Sequence, residues 1–186
     1  MRVAILGGSF NPIHNSHIKF TNYLINKDIV DRVWLMPCGK HSFDKSLESA
    51  TKRVNMIKLS FKSKKIKICY IELKSKRKSY TITTFRKLRK KYKHEFYFVI
   101  GSDILKQIRK WHKYRDVKKE IDFILFKRKN YKITNPEVKI NKIINYKQDN
   151  ISSSEIRERL KQGKSISAFV PKSVERYIKK NKLYNL

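Results

Sequence analysis

Val3-Ala4-Ile5-Leu6-Gly7-Gly8-Ser9-Phe10-Asn11-Pro12-Ile13-His14-Asn15-Ser16-His17 is the stretch that decides the fold. Its four opening apolar residues read as a short buried strand. The Gly-Gly-Ser turn behind them lets the backbone come close to a bulky ligand. A helix beginning near Ser16 would aim its free amides and the positive end of its dipole at a phosphate group. Neither the dinucleotide pattern G-x-G-x-x-G nor the Walker lysine motif is present. Two histidines three apart, His14 and His17, stand at the loop-to-helix junction and can donate hydrogen bonds to phosphate oxygens without the permanent charge of lysine. The plain alternative is a packing turn with incidental histidines.

Strands and helices alternate outward from this unit. Val33–Met36, Ile66–Ile71, Phe96–Ile100, Ile121–Phe126 and, more weakly, Val138–Tyr146 read as strands. Phe20, Leu24 and Ile25 suggest a helix after the histidines. Ala50, Val54, Ile57 and Phe61 form one apolar stripe at helical spacing, with Lys52, Arg53 and Lys58 on a solvated face. Thr81–Tyr92 is helical, and from Ser152 the pattern turns helical again, with a further helix around Val174–Ile178. The fold class is α/β: a doubly wound, mostly parallel sheet covered on both faces. One domain is expected over residues 1–186, an α/β core at 1–149 followed by a small helical C-terminal lobe at 150–186. The segment His41–Ser49 reads as a mobile loop.

Composition narrows the function classes. The 186 residues include 46 Lys+Arg against 15 Asp+Glu, a net charge of +31, yet 40% are hydrophobic and 12% aromatic. That apolar content excludes a disordered polycation. The apolar runs are strand-sized, so a membrane partner is not expected, and the two cysteines, Cys38 and Cys69, fit reduced cytosolic thiols. The basic residues are spread along the chain without a single tract, which favours a lysine-rich solvent face over a nucleic-acid surface. His14-x-x-His17 with Cys38-x-x-His41 formally makes a zinc set, but spacing alone is a poor warrant, and no metal site is assigned.

Two further segments carry chemistry. In Ile151-Ser152-Ser153-Ser154-Glu155-Ile156-Arg157, Ser152 and Glu155 make a capping box, which accounts for a helix start. Ser153, Ser154 and Arg157 at that first turn are left over and suggest a second phosphate cradle. Gly101-Ser102-Asp103, directly after a buried strand, lies where open α/β sheets place ligands. Asp103 can take ribose hydroxyls or a magnesium-bound phosphate, or simply cap a helix. Trp111 can stack on a flat ring or simply pack.

Together these segments resemble the nucleotidyltransferases with the H-x-G-H signature, and most closely the bacterial nicotinate-nucleotide adenylyltransferases. Gly7 through His17 looks like that family's G-G-S/T-F-D-P-x-H-x-G-H, Ser79-Tyr80-Thr81 like its S-Y-T, Gly101-Ser102-Asp103 with Trp111 like its G-x-D and downstream W, and Ile151–Arg157 like its I-S-S/A-T-x-I-R. Ser16 stands in place of the signature glycine, Asn11 in place of the usual aspartate, and Ser154 in place of threonine. The resemblance implies a Rossmann-like fold and adenylyl transfer from ATP to nicotinate mononucleotide in NAD biosynthesis, with Mg2+ accompanying ATP, in the cytoplasm. It implies catalytic roles for His14, His17 and Arg157. ATP would meet Gly8, Ser9, Phe10, His14, His17, Gly101, Asp103, Ser153, Ser154 and Arg157. Lys40, Lys45, Tyr80, Thr81, Asp103 and Trp111 would take the pyridine mononucleotide. Alternatives are adenylyl or cytidylyl transfer to nicotinamide mononucleotide or another phosphate acceptor, and, less favoured, nucleic-acid binding on this scaffold. A homo-oligomer stays open.

Overall fold

A strand buried on both faces can satisfy its backbone groups only by pairing with other strands, and the first apolar run does so on both edges. The structure, a computed structural model, describes residues 1–39, 47–75, 79–128, 131, 133, 137–146 and 151–184. In chain order the elements are β1 (Arg2–Gly8), α1 (Asn15–Asn26), β2 (Arg32–Pro37), α2 (Ala50–Ser60), β3 (Ile66–Ile68), α3 (Thr81–Lys91), β4 (Glu95–Gly101), a 3-10 helix (Ile104–Lys110), α4 (Tyr114–Glu120), β5 (Asp122–Phe126), β6 (Lys139–Ile144), α5 (Ser153–Lys161) and α6 (Lys172–Lys180). The sheet has six strands in the order β3-β2-β1-β4-β5-β6. Ala4 of β1 pairs with Val33 on one side and Tyr97 on the other, and every described pairing is parallel. The expected doubly wound α/β architecture, Rossmann-like in its strand order, is therefore the one observed.

Alternate residues of each strand feed two hydrophobic layers. On one face Ala4, Leu6 and Leu35 pack with Leu24 of α1, Met56 of α2, Ile156 of α5 and Ile178 of α6. On the other, Val3, Ile5 and Phe98 pack with Ile82 and Leu88 of α3 and Val117 of α4. The C-terminal helices thus share the core of α1 and α2. At the start of α5, Ser152 Oγ accepts from the Glu155 amide at 3.1 Å, the N-cap half of the expected capping box.

Three readings change. β3 spans three residues, because after Ile68 the Cys69 amide makes one last bond to the Leu35 carbonyl and the chain turns away. The 3-10 helix and α4 gave no periodicity to read: each buries a single residue, Ile108 and Val117. Arg53 is not on a solvated face. Lys58 is exposed, but Arg53 is 2% exposed, because its guanidinium finds backbone carbonyls inside the protein.

Ile178, fully buried in α6, tests whether the C-terminal helices belong to this core. Ile178→Ala should cost about 2–5 kcal/mol in urea unfolding. A loss below about 1 kcal/mol would mark α6 as peripheral.

Candidate active site

The strand order reverses between β1 and β4, and in open parallel sheets the crevice beyond the carboxyl ends of the strands at that point takes ligands. A cleft of about 470 Å³ lies there. Gly7 and Gly8 of β1 and Gly101 of β4 form its floor; His17 and Ser16 come from α1, Thr81 from the first turn of α3, and Trp111 from the segment after the 3-10 helix. A β-carbon on Gly8 would stand 3.3 Å from the Phe10 ring, and one on Gly101 would stand 2.8 Å from Arg128 Nε. A side chain at either position would displace these neighbours in the cleft.

The turn after β1 is held from outside itself. Phe10 has φ +48, a left-handed conformation that is strained for a bulky residue and persists only where the surroundings over-determine it. Its buried ring packs edge-on to His17 with centroids 5.1 Å apart. The Ser9 carbonyl accepts from Arg53 Nη1 at 2.8 Å, the Asn11 carbonyl from Arg157 Nη1 at 2.9 Å, and the Pro12 carbonyl from Ser153 Oγ at 2.9 Å. Asn11 Oδ1 accepts from the Glu48 amide at 3.2 Å and the Tyr184 hydroxyl at 3.0 Å. Burial raises the Tyr184 pKa, so the phenol stays protonated and donates.

The two histidines differ. The His14 amide donates to His17 Nδ1 at 3.3 Å, and the rings lie 3.8 Å apart. With Nδ1 accepting, the neutral His17 ring carries its proton on Nε2. Burial holds His17 well below the ordinary histidine value, and the neighbouring His14 and Arg128 push it the same way. His14 is 3% exposed, and burial lowers its pKa to about 4. His17 lines the cleft; His14 sits behind it, with its Nδ1 lacking a hydrogen-bond partner among the described residues. Burial thus keeps both rings neutral, and only His17 faces the cleft.

Across the cleft, Asp103 does not cap the 3-10 helix with its side chain; Asp103 Oδ1 pairs with Arg128 Nε at 3.1 Å. Arg128 follows β5, lies over the Phe126 ring at 5.2 Å and lines the cleft. Sequence reading missed it because one more basic residue in a chain with 46 gives no signal. It also missed Glu72, whose half-buried carboxyl lines the cleft; burial raises its pKa, and the hydrogen bond from Thr84 Oγ1 at 3.4 Å partly offsets this. Trp111 meets Phe123 edge-on at 6.2 Å and lines the cleft, whereas Tyr80 stacks on His112 with centroids 4.0 Å apart.

Of the expected ligand contacts, Gly8, His17, Gly101, Asp103, Thr81 and Trp111 thus meet in one cleft. Phe10, Ser153 and Arg157 brace the turn, and Arg157 also donates to Ser154 Oγ at 3.3 Å. Ser9 offers its carbonyl to Arg53. Lys40 and Lys45 lie outside the described residues, as does His41 of the zinc set. Among the described residues no three His, Cys, Asp or Glu side chains cluster to hold a metal, and no helix is long and apolar enough to cross a membrane.

The cytidylyltransferase-like family model matches residues 5–159. A protein of Halalkalibacterium halodurans named "Probable nicotinate-nucleotide adenylyltransferase" is 37% identical, covering 98% of this chain and 91% of its own. The nicotinate-nucleotide adenylyltransferase of Bacillus subtilis is 29% identical, covering 98% of each chain. Among solved structures, the Plasmodium falciparum nicotinic acid mononucleotide adenylyltransferase complexed with NaAD superimposes with a TM-score of 0.83 at 27% identity, covering 99% of this chain and 97% of that one.

The histidine burial has a pH signature. The unfolded chain binds a proton on His14 near pH 6.5 and the folded chain only near 4, so stability rises with pH across that window. Acidification from pH 6.5 towards 4 should remove about 3 kcal/mol from this group alone. An NMR titration of the His14 ring should give a midpoint of about 4; a midpoint near 6.5 would contradict its burial.

Proposed function

This chain belongs to the cytidylyltransferase-like family and, within it, to the nicotinate-nucleotide adenylyltransferases, and from that membership we propose that it transfers the adenylyl group of ATP to nicotinate mononucleotide, releasing pyrophosphate and deamido-NAD. The observation that carries this reading is the meeting of the braced Gly-Gly-Ser turn, the His17 donor and the Trp111 ring in one cleft at the switch point of the sheet. The mononucleotide phosphate oxygen attacks the α-phosphorus of ATP, and the bond from that phosphorus to the bridging oxygen of the β-phosphate breaks in line with the attack. Catalysis of this kind rests on positioning and charge stabilisation, with no covalent enzyme intermediate.

We assign His17 Nε2–H to the α-phosphate, as a neutral donor that strengthens its bond as charge develops there. His14 backs His17 through its amide. Arg128, held by Asp103, brings a full positive charge to the cleft wall. Asp103 at the carboxyl end of β4 is suited to ribose hydroxyls, and Trp111 offers a face to the pyridine ring. Arg157, Ser153 and Ser154 stand at the start of α5, whose N-terminal amides suit the β- and γ-phosphates. Magnesium would enter with ATP as part of the substrate and would neutralise phosphate charge there. A cytoplasmic setting agrees with the free thiols of Cys38 and Cys69.

One observation favours a second acceptor. Glu72 gives the cleft a hydrogen-bond acceptor that suits a carboxamide, so nicotinamide mononucleotide should also react.

Pyrophosphate release from ATP should be fastest with nicotinate mononucleotide among a panel including nicotinamide mononucleotide and phosphopantetheine. Failure with every acceptor would overturn the assignment. His17→Ala should lower kcat by about 10²-fold or more, since it removes a donor to developing charge; near-normal turnover would remove His17 from the mechanism.

A further inference from the structure

Arg53 is the charged side chain this fold hides most completely among the described residues; it does not itself line the cleft, but it bonds to Cys38, which does. Its guanidinium is coordinated by the chain itself. Nη1 donates to the Ser9 carbonyl at 2.8 Å, Nη2 to the Cys38 carbonyl at 2.9 Å, and Nε to the Glu48 carbonyl at 2.9 Å. Cys38 Sγ lies 4.0 Å from Nη1. Among the described residues no carboxylate pairs with it.

The three carbonyls belong to three different pieces of the site. Ser9 is in the turn after β1, Cys38 follows β2, and Glu48 directly precedes the Ser49 cap of α2. One rigid planar fork therefore fastens the turn to both flanks of the segment that leaves β2 and returns at α2. A buried charge is costly unless its hydrogen bonds are made, so the fork and its carbonyls hold each other in one geometry. Lysine cannot reproduce this: its ammonium is a point donor without a planar fork.

The bond to Ser9 has a directional consequence. In a trans peptide the carbonyl and the amide that follows point in opposite directions, so with the Ser9 carbonyl drawn towards Arg53, the Phe10 N–H points away from it. Phe10 is the strained left-handed residue of the turn, and its neighbour Gly8 lines the cleft. We propose that Arg53 is a positioning residue for the reaction: by holding the Ser9 carbonyl from beneath, it keeps the Ser9–Phe10 peptide in the orientation that presents the Phe10 amide to the polyphosphate of ATP. This rests on the adenylyl-transfer reading above. Arg53 is not a catalytic residue; it acts through a backbone it does not share.

The test compares Arg53→Lys, which keeps the charge and loses the fork, with Leu88→Ala. Leu88 is a fully buried residue of α3 in the hydrophobic layer on the other face of the sheet, and its truncation lowers stability without reaching the turn. Both are assayed with ATP and nicotinate mononucleotide below their melting temperatures. Arg53→Lys should lose about 10-fold or more in kcat/KM for ATP, because a small misplacement of a positioning group costs that much, while KM for the mononucleotide moves by less than about threefold. Leu88→Ala should melt earlier and keep kcat/KM for ATP per folded molecule. Binding of a non-hydrolysable ATP analogue by calorimetry should weaken in Arg53→Lys alone. Wild-type kcat/KM for ATP in Arg53→Lys, or an equal loss in Leu88→Ala, would overturn the inference. An inactive wild-type chain would instead overturn the adenylyl-transfer reading itself.

Discussion

Three backbone carbonyls in four residues, those of Ser9, Asn11 and Pro12, are each taken by a side chain from another element. The site depends on this arrangement. A turn that must approach a polyanion cannot carry bulk or charge of its own on the approach side, so its fixation has to come from behind. The left-handed Phe10 is a cost that local sequence would relieve if it could. Arg53, Arg157 and Ser153 prevent that, with Tyr184 and Glu48 gripping the Asn11 side chain between them. The same logic explains why Asn11 serves here: what these donors require is a side-chain oxygen at that position.

The fold was legible because its strands are apolar runs of the right length separated by stretches of helical spacing, and that pattern leaves few topologies once right-handed parallel crossovers are required. The site was legible in part for a different reason. Gly8, His17, Gly101 and Trp111 are residue types whose chemistry is rare enough to stand out against a lysine-rich background. Arg53 and Arg128 carry chemistry of equal weight and stayed hidden in that background. Arg53 lies beside Lys52 on a helix whose apolar stripe explains the helix without it; only the position of carbonyls far away in sequence shows that its side chain turns inward. The first-turn residues Ser153 and Arg157 were noticed for the correct oddity, yet their hydroxyl and guanidinium act on the backbone of the first turn, which no local pattern could reveal.

The charge of +31 finds little employment in the cleft itself. The donors nearest the turn are neutral imidazoles held so by burial, and the one full positive charge named on the cleft wall, Arg128, is tempered by Asp103. A site that receives two polyanions and must release two others gains from donors whose strength rises with developing charge rather than from fixed cations that would hold substrate and product equally.

The partners of the turn also lie far along the chain: Ser153 is 141 positions from Pro12, Arg157 is 146 from Asn11, and Tyr184 is 173 from Asn11. A ribosome extends a chain at about 5–20 residues per second, so the turn made first waits on the order of 10 s for the groups that brace it. Arg53 and Glu48 are nearer braces, 44 and 37 positions from their partners in the turn, so the C-terminal groups complete a fixation that the first third of the chain begins. The signature residues near the start of the chain therefore take their geometry from groups 141 or more positions later in sequence.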